Sequence, residues 1–308
     1  MTNGSARNPV SGVCYPVEEG IPRLFVPTEG ADAGPDVTEL VKQFYEKTPF
    51  PNYDELDDQR ALMEKARAGL FARLLNEQIP FDARVVEVGC GTGQLTNYLS
   101  IGYRSVLGID VCLNSLRLAH RFKVEQGLER ATFAQMNLFR PALRDDFFDY
   151  VISLGVLHHT SDARAAFERI CKLVRPGGYV IIGLYNAYSR KVHAARRALY
   201  RATGLTSRLL DPHFGRLAAA GKREAWFRDQ YCHPHETSHT TSEVLGWMNA
   251  ISLQFVNSIP KPDLGPALTA DEQLFAPRAA GTAVSRALSQ HGYREGGFFI
   301  MVGRRPPA

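Results

Sequence analysis

The feature that most limits the fold of this chain is an alternation of short apolar runs and helical segments. The apolar runs lie at residues 84–88, 106–110, 131–136, 148–154 and 179–185. Between the last two runs, apolar residues recur at helical spacing from Ala166 to Val174. Strands that alternate with helices in this way are typical of βαβ units, which build a parallel sheet with helices on both faces. With two later runs, 253–259 and 298–303, we predict a doubly wound, mostly parallel α/β sheet of seven strands.

A glycine-rich junction follows the first apolar run, where Gly89, Gly91 and Gly93 alternate with other residues before a helix. Glycines at a strand–helix junction let the backbone approach a ligand that a Cβ would exclude. A dinucleotide fingerprint would need its third glycine where Gln94 stands, and a phosphate-binding P-loop would need a lysine that is absent. The third interpretation is a site for a nucleoside that carries no pyrophosphate, in which backbone groups contact an amino-acid tail of the ligand. A turn that serves chain geometry alone is disfavoured, because Glu87 coincides with the glycines.

The second apolar run ends in Asp110. A carboxylate at the tip of the neighbouring strand can accept hydrogen bonds from both ribose hydroxyls of a nucleoside. The glycine junction and this acidic residue, at the expected places in one βαβ unit, therefore favour a nucleoside ligand more strongly than either feature alone.

These segments resemble motifs I and II of the class I S-adenosylmethionine-dependent methyltransferases. The resemblance continues through residues 148–160, which are similar to the fourth strand of that family and its following loop, and through residues 173–180, which are similar to the turn before its fifth strand. It covers residues 84–185. It implies a Rossmann-like fold, S-adenosylmethionine as cofactor and a methyltransferase reaction.

The resemblance also implies which residues bind the cofactor. The glycine junction would shape the pocket for the methionine moiety, Asp110 would bind the ribose and Val111 would lie against the adenine. Asn137 stands where many relatives have an acidic residue, and its side-chain oxygen can still accept a hydrogen bond from the adenine amino group. The expected cofactor-binding residues are Glu87, Gly89, Cys90, Gly91, Gly93, Asp110, Val111, Asn137, Leu138 and Ser153.

Two histidine-rich segments supply the catalytic candidates. His158 and His159 follow the fourth strand at the carboxyl edge, where open α/β sheets bind ligands, and one of them could be a base or hold the substrate. The family also carries histidines there without a catalytic role. Residues 229–239 carry a second group, in which His235 and Glu236 are expected to face the substrate from a covering loop. A solvated polar loop is the alternative, and the irregular spacing around Pro234 argues against a metal site, so no metal is predicted.

Substrate contacts are expected from aromatic and basic residues outside these motifs. Aromatic rings before the first strand could cover the cofactor and favour its cationic sulfur, although core packing explains them equally well. The basic segment 189–201 could bind a carboxylate, a phosphate or RNA, and we favour a small anionic group or a solvated helix face. The expected substrate residues are Tyr45, Tyr53, Tyr185, Arg196, Tyr231 and His233.

The chain divides into three predicted parts. Residues 1–35 form an N-terminal arm for packing or dimer contact, which makes a homo-oligomer one expected state, and residues 36–80 form a helical lid. Residues 81–308 form the methyltransferase domain, with inserted cap segments at 186–240 and 260–297 roofing the substrate site. The arm faintly resembles the end of a small zinc-ribbon module, but it lacks that module's cysteine pairs.

Composition limits the partners and the location. The net charge is +4, far from the strong basic footprint of an obligate nucleic-acid binder. No run approaches the roughly 18 apolar residues that span a bilayer, and the polar start lacks a signal-peptide core. The five cysteines form no C-x-x-C pair, which agrees with a reducing compartment. We expect a cytoplasmic protein without a membrane partner, and nucleic acid is disfavoured.

The leading functional prediction is methyl transfer from S-adenosylmethionine to an O, N or S atom of a small-molecule metabolite. One alternative is a tRNA- or rRNA-modifying methyltransferase that uses the basic segment. Another is a non-catalytic S-adenosylmethionine-binding protein. Aminopropyl or carboxymethyl transfer from a related sulfonium is a weaker third alternative.

Overall fold

The computed structural model describes residues 4–7, 12–25, 37–47, 49, 53, 58–204, 220–259 and 297–308. The predicted insertion at 260–297 lies outside the described residues except for Gly297, as do residues 205–219 of the insertion at 186–240. No helix in the described ranges combines the length and apolar character that crossing a bilayer requires.

The described strands form two sheets. A small N-terminal sheet consists of β1 (Gly4–Arg7), β2 (Cys14–Glu18) and β3 (Ile21–Pro22). The main sheet has seven strands in the order β6-β5-β4-β7-β8-β10-β9. Their bounds are β4 (Arg84–Val88), β5 (Ser105–Asp110), β6 (Ala131–Gln135), β7 (Phe148–Leu154), β8 (Val174–Tyr185), β9 (Gln254–Ile259) and β10 (Phe298–Arg304). Strands β4 to β8 are parallel to one another, and β10 runs antiparallel to both neighbours. The prediction of a mostly parallel seven-stranded sheet is confirmed.

Helices cover both faces of this sheet. Their bounds are α1 (Val37–Lys47), α2 (Gln59–Ala68), α3 (Leu70–Gln78), α4 (Gln94–Ile101), α5 (Leu113–Glu125), α6 (Ala163–Cys171), α7 (Arg190–Thr203), α8 (Ala220–Cys232) and α9 (Thr241–Ala250). One apolar cluster contains Phe167 of α6 and Trp247 of α9, and the other contains Leu99 of α4 and Leu116 of α5. The sheet lies between these two cores, which is the doubly wound arrangement.

The central strands are apolar throughout because both of their faces are buried. Val151 and Ile152 of β7, and Ile181 and Ile182 of β8, are at most 1% exposed. Adjacent residues of a strand point to opposite faces, so each pair contributes to both cores. Continuous apolar runs, rather than alternating ones, are therefore expected in this sheet.

Helix boundaries follow local capping signals. Asp58 and Asp162 precede α2 and α6, and each side chain accepts a hydrogen bond from a backbone N–H of the first turn. Before α9, Thr240 and Glu243 form a capping box. These caps place the helix starts where the sequence itself supplies an acceptor.

Strand β8 begins earlier than the apolar run 179–185 predicts. Val174 already pairs with Phe148 of β7, and the register shifts before Tyr150 pairs with Tyr179. Gly177 adopts a left-handed φ of +78° within this irregularity. The Arg-Pro-Gly-Gly turn is thus a bulge inside the strand rather than a loop before it.

The N-terminal segment packs against the edge of the main sheet. Arg23 forms a parallel bridge with Gln135 of β6, and the Leu24 N–H donates to the Gln135 carbonyl at 2.8 Å. Arg117 of α5 forms an ion pair with Glu18. Residues 23 and 24 therefore pair with the end of β6, where the edge of the sheet would otherwise present unpaired backbone groups.

Candidate functional site

A cavity of about 370 Å³ opens at the carboxyl ends of β4, β5, β7 and β8. The strand order reverses between β4 and β7, and open α/β sheets bind ligands at this switch point. The cavity extends from the glycine junction to the inner faces of α1 and α8. Its polar and charged lining residues are Thr38, Tyr45, Glu87, Gln94, Asp110, Ser115, Asn137, His159, Thr160, Tyr185, Asp229 and Gln230.

The glycine junction forms the floor of the cavity because side chains are excluded there. Gly89 has a φ of +76°, and a Cβ at this position would collide with the Val156 side chain. Gly93 has a φ of +72°, and its Cβ would lie 2.6 Å from the Ala119 methyl group. Gly89 and Gly91 line the cavity, whereas Gly93 packs beneath it at the start of α4. Glycine is required at both ends of the junction for steric reasons.

Asp110 ties the glycine junction to the end of β5. Its two carboxylate oxygens accept hydrogen bonds from the backbone N–H groups of Gly91 and Cys112, each at 2.8 Å. Burial raises the pKa of this carboxyl, and the backbone N–H groups oppose the rise. Each oxygen has a second lone pair, so Asp110 can still accept bonds from a ligand.

Glu87 is a second carboxyl at the cavity wall and is only 6% exposed. It accepts a hydrogen bond from the Thr96 hydroxyl at 2.5 Å. Burial raises its pKa to about 8, the Thr96 bonds acting in the opposite direction. Near neutral pH the side chain is therefore close to the point at which it gains or loses its charge.

The opposite wall of this half is largely apolar. Val111, Met136, Leu138 and Phe139 line it beside Asn137. The Asn137 side-chain oxygen accepts a hydrogen bond from the Phe139 N–H at 3.0 Å, which fixes the amide.

Ser153, like Gly93, is an expected cofactor residue that does not line the cavity. It is fully buried, and its hydroxyl donates to the Val88 carbonyl at 3.0 Å, outside the cavity lining. It therefore supports β4 rather than facing the cavity.

This half of the cavity fits a nucleoside that carries a charged amino-acid tail. Gly89 lines the cavity without a side chain, and Asp110 offers free acceptor positions beside an apolar wall. Glu87 lies at the same floor as a buried carboxyl. Such a ligand needs a carboxylate that accepts hydrogen bonds from its hydroxyl groups, a flat apolar slot for its base and a negatively charged partner for its ammonium group.

At the far end of the cavity, four polar side chains form one hydrogen-bonded group. The Tyr45 hydroxyl donates to Asp229 Oδ1 at 2.8 Å. Gln230 Nε2 donates to Asp229 Oδ2 at 2.9 Å and to the Tyr185 hydroxyl at 3.0 Å. Burial, with Asp229 adding to it, raises the pKa of Tyr45, and the same causes raise the pKa of Tyr185 to about 12. Both phenols therefore stay protonated.

His159 faces the cavity in a defined tautomer. Its Nδ1 lies 2.9 Å from the His235 carbonyl, which can only accept, so Nδ1 carries the proton and Nε2 keeps its lone pair. The ring stacks on His233 at a centroid distance of 3.7 Å. Burial lowers the pKa of His159, so the imidazole is neutral and available as a base.

His158 differs from its neighbour in its access to the cavity and in its hydrogen bonding. It is fully buried and does not line the cavity, and its ring lies 4.0 Å from that of Tyr185. Neither ring nitrogen has a hydrogen-bond partner among the described residues. Burial holds its pKa well below the usual value. The structure thus separates two adjacent histidines that the sequence leaves equivalent.

Glu236 and His235 lie behind the cavity rather than in its lining. Glu236 accepts two hydrogen bonds from Arg190, at 3.0 and 2.8 Å, and lies 3.5 Å from Arg197. The Arg190 guanidinium in turn covers the Tyr185 ring at 3.7 Å and donates to Gln230 Oε1 at 2.8 Å. His235 contributes its backbone carbonyl to His159, and its ring borders a separate groove along α7.

The other expected substrate residues also lie outside the cavity lining. Tyr53 stacks on Phe122 at 4.5 Å, Tyr231 stacks on Phe227 at 4.9 Å, and His233 lies behind His159. Arg196 is a half-buried residue of α7. Within the described residues, no three His, Cys, Asp or Glu side chains are placed to hold a metal ion.

Asp229 and Gln230 are the main site residues that the sequence prediction missed. They directly precede Tyr231 and begin the polar segment 229–239 that the sequence analysis singles out. The polar character of this segment therefore indicated a site, but the side chains that reach the cavity come from the end of α8 rather than from the histidine-rich loop after it.

Several known proteins that resemble this chain are described as methyltransferases. Residues 86–182 match a family model described as a methyltransferase domain. An uncharacterized protein of Synechococcus sp. is 28% identical over 256 residues, which cover 73% of this chain and 61% of that protein. A ubiquinone biosynthesis O-methyltransferase of Aeromonas salmonicida is 34% identical over 107 residues, which cover 34% of this chain and 44% of that enzyme. The matches thus span less than two thirds of the length of these relatives.

A solved structure shows the same fold at low identity. The [4+2]-cyclase SpnF has a TM-score of 0.52 and 15% sequence identity, and the superposition covers 93% of this chain and all of that one. This likeness concerns the fold alone, and a protein of this fold that is described as a cyclase illustrates that the site must decide the reaction.

Proposed function

We propose that this chain, whose residues 86–182 form a class I S-adenosylmethionine-dependent methyltransferase domain, transfers a methyl group to an O, N or S atom of a small-molecule acceptor. The observation that carries the proposal is that one cavity joins a nucleoside half, built on Gly89 and Asp110, to a polar end that contains His159 with a free Nε2 lone pair. The methyl donor and the base that deprotonates the acceptor would thus lie in the same cavity.

The cofactor supplies an electrophilic methyl carbon on a sulfonium and leaves as a neutral thioether, the electron pair of the broken carbon–sulfur bond remaining on sulfur. In this proposal Asp110 binds the ribose, and Val111, Asn137 and Leu138 hold the base. Glu87 faces the ammonium group of the methionine tail. Holding both reactants in one orientation is the main contribution of the protein to such a displacement.

His159 takes the proton that an O–H, N–H or S–H acceptor loses as its new bond to carbon forms. Its Nε2 is the unprotonated ring nitrogen, because Nδ1–H is held by the His235 carbonyl. Its lowered pKa keeps it neutral before the reaction. General-base catalysis of this kind contributes about 10²- to 10⁴-fold to a rate.

Helix α1 acts as a lid in this proposal. Thr38, Val41 and Tyr45 line the cavity from one side of the helix. At its end, the Glu46 carboxylate accepts from the N–H groups of Leu113 and Asn114, at 2.8 and 3.4 Å, and so anchors the lid at the start of α5. A carboxylate is favourable at a helix N-terminus, so this contact stabilises the closed position.

A small acceptor fits this enclosure better than RNA. Tyr45 and Asp229 join α1 to α8 across the cavity. The ubiquinone relative named above is described as an O-methyltransferase of a biosynthetic pathway, which supports a metabolite as acceptor. Two basic residues of α7, Arg190 and Arg197, are engaged by Glu236.

The test is to incubate the purified protein with methyl-labelled S-adenosylmethionine and a fractionated cell extract. Label in the low-mass fraction is the expected result, and the mass of the product then identifies the acceptor. Label in RNA would contradict the proposed substrate class. Cofactor binding without label in any fraction would contradict catalysis and favour a binding protein.

A further inference from the structure

Acidic side chains outnumber basic ones in the described lining of the cavity. Within the described residues the acidic side chains are three carboxyls, Glu87, Asp110 and Asp229, and no lysine or arginine contributes to the lining. The first two belong to the cofactor half, where a ligand with a sulfonium and an ammonium group would face them. Asp229 lies at the other end, beside Tyr45, His159 and Tyr185, where the acceptor would sit.

The charge of Asp229 is not neutralised by its direct partners. It is 6% exposed, and both of its hydrogen bonds come from neutral groups, the Tyr45 hydroxyl and the Gln230 amide. The buried Arg190 guanidinium gives two hydrogen bonds to Glu236 and one to Gln230 Oε1. Arg190 therefore reaches Asp229 only through Gln230, and the carboxylate itself lines the cavity.

The neighbouring groups respond to this charge. Asp229 raises the pKa of both Tyr45 and Tyr185, in each case second to burial. It also acts to raise the pKa of His159, against the larger effect of burial. In a partly dehydrated site a second anion close to Asp229 would be strongly disfavoured, whereas a cation or a hydrogen-bond donor would be favoured.

We propose that Asp229 determines the charge class of the acceptor, so that the site takes a neutral or cationic molecule with a hydroxyl or amine group and rejects carboxylates and phosphates at this end. The proposal rests on the proposed function and deepens it. Each Asp229 oxygen has a further lone pair, which can accept a hydrogen bond from the acceptor. Exclusion by an unfavourable like charge is a common way to achieve specificity.

Asp229 has a second consequence for the same step. As the acceptor atom bonds to the methyl carbon, its proton passes to His159 Nε2 and a positive imidazolium forms beside the carboxylate. Asp229 stabilises this cation, so it acts as a positioning and electrostatic residue rather than as the base. An acceptor that brought its own negative charge would compete with this arrangement.

The experiment compares two cofactor analogues whose charge differs at the transfer point. S-adenosylhomocysteine is neutral there, and sinefungin carries an amine in place of the methylsulfonium group. Their dissociation constants are measured by calorimetry for the full chain, for Asp229→Asn and for Glu224→Gln. Glu224 is an exposed residue of the same helix, so its variant matches the loss of one negative charge.

We expect Asp229→Asn to weaken sinefungin about tenfold and S-adenosylhomocysteine less than twofold, because only the amine interacts with the carboxylate at short range. Asp229→Glu keeps the charge and should retain most of the preference for the amine, and thermal unfolding verifies that each variant is folded. An equal loss of both analogues in Asp229→Asn, or the same change in Glu224→Gln, would overturn the proposal.

The acceptor class is tested on the small molecules of a cell extract, separated by ion exchange into cationic, neutral and anionic pools. The acceptor is expected in the cationic or neutral pool, and an acceptor only in the anionic pool would overturn the proposal. Failure of the proposed function looks different: the wild-type chain would then bind neither analogue, or would bind both without labelling any pool.

Discussion

The two ends of the cavity differ in how they are built. The cofactor half comes from a short stretch of chain in which β4, β5 and β6 and their following loops supply Glu87, the glycine junction, Asp110 and Asn137. The acceptor end takes Tyr45 from α1, His159 from the turn after β7, Tyr185 from β8 and Asp229 from α8. Consecutive βαβ units thus bring the residues of the cofactor half together, whereas the acceptor end depends on long-range packing.

The two ends also hold their carboxylates differently. Asp110 is held by backbone N–H groups, which do not depend on the side chains at those positions. Asp229 is held by the side chains of Tyr45 and Gln230, which substitution can remove. We therefore expect substitutions at the two ends to separate cofactor affinity from transfer rate.

The largest expected effect is on transfer at the acceptor end. His159→Gln should lower the rate of methyl transfer about 10²- to 10⁴-fold, because the base is lost, while cofactor affinity changes less than threefold. The lowered pKa of His159 predicts that the wild-type rate does not fall until the pH drops below the usual histidine range. Single-turnover kinetics and calorimetry measure the two quantities, and an equal loss of both would contradict the division.

Asp110→Ala should have the next largest effect, confined to the cofactor half. Loss of two hydrogen bonds from ligand hydroxyls to a charged group corresponds to about 3 kcal/mol, or roughly a 100-fold weaker binding of S-adenosylmethionine. Asp145→Ala is the control, since Asp145 pairs with Arg169 at the surface. Near-native affinity of the Asp110 variant would refute its assignment to the ribose.

The pH dependence of cofactor binding should report on Glu87. Because its pKa is about 8, Glu87 is protonated at neutral pH before the cofactor binds, and a cationic ligand favours the ionised form of Glu87. Affinity should therefore rise with pH up to about pH 8, by at most about tenfold per pH unit. In Glu87→Gln the increase in affinity that comes from Glu87 should be absent, whereas the pH dependence that comes from the amine of the ligand should remain. Calorimetry in buffers of different ionisation enthalpy measures the number of protons released on binding.

The smallest expected effect is that of a substitution at Glu236, which lies behind the acceptor end of the cavity. Glu236→Gln weakens the hold on Arg190, which supports Tyr185 and Gln230. We expect about a three- to tenfold lower transfer rate, in line with partial loss of a buried charge-assisted contact, and unchanged binding of S-adenosylhomocysteine. A normal rate would show that the Arg190–Glu236 pair is structural only.

Sequence prediction worked best where local patterns decide the structure. The continuous apolar runs predict buried parallel strands, and the seven-stranded mostly parallel sheet is confirmed. The glycine junction and Asp110 meet at the cavity because adjacent parallel strands end at the same edge. The role of the glycines is a partial exception, since the missing Cβ makes room for Val156 at Gly89, and for Ala119 and Phe133 at Gly93, rather than for a ligand.

Prediction of the acceptor end was less complete because neighbouring residues in a sequence need not share an environment. His158 and His159 are adjacent, yet only His159 lines the cavity and has a bonded Nδ1. In the segment 229–239 the sequence draws attention to the histidines and Glu236, whereas Asp229 and Gln230 reach the cavity. Which side of such a segment faces inward depends on how α8 packs.

The succession of strands and helices along the chain, the glycine junction and the acidic residue at the end of β5 could be predicted from local sequence patterns, because each rests on interactions between residues close along the chain. The protonated nitrogen of His159, the burial of His158 and the position of Asp229 in the cavity wall could be read only from the folded chain. These depend on contacts between α1, β8 and α8, and the direction of a buried side chain is set by the distant residues that pack around it.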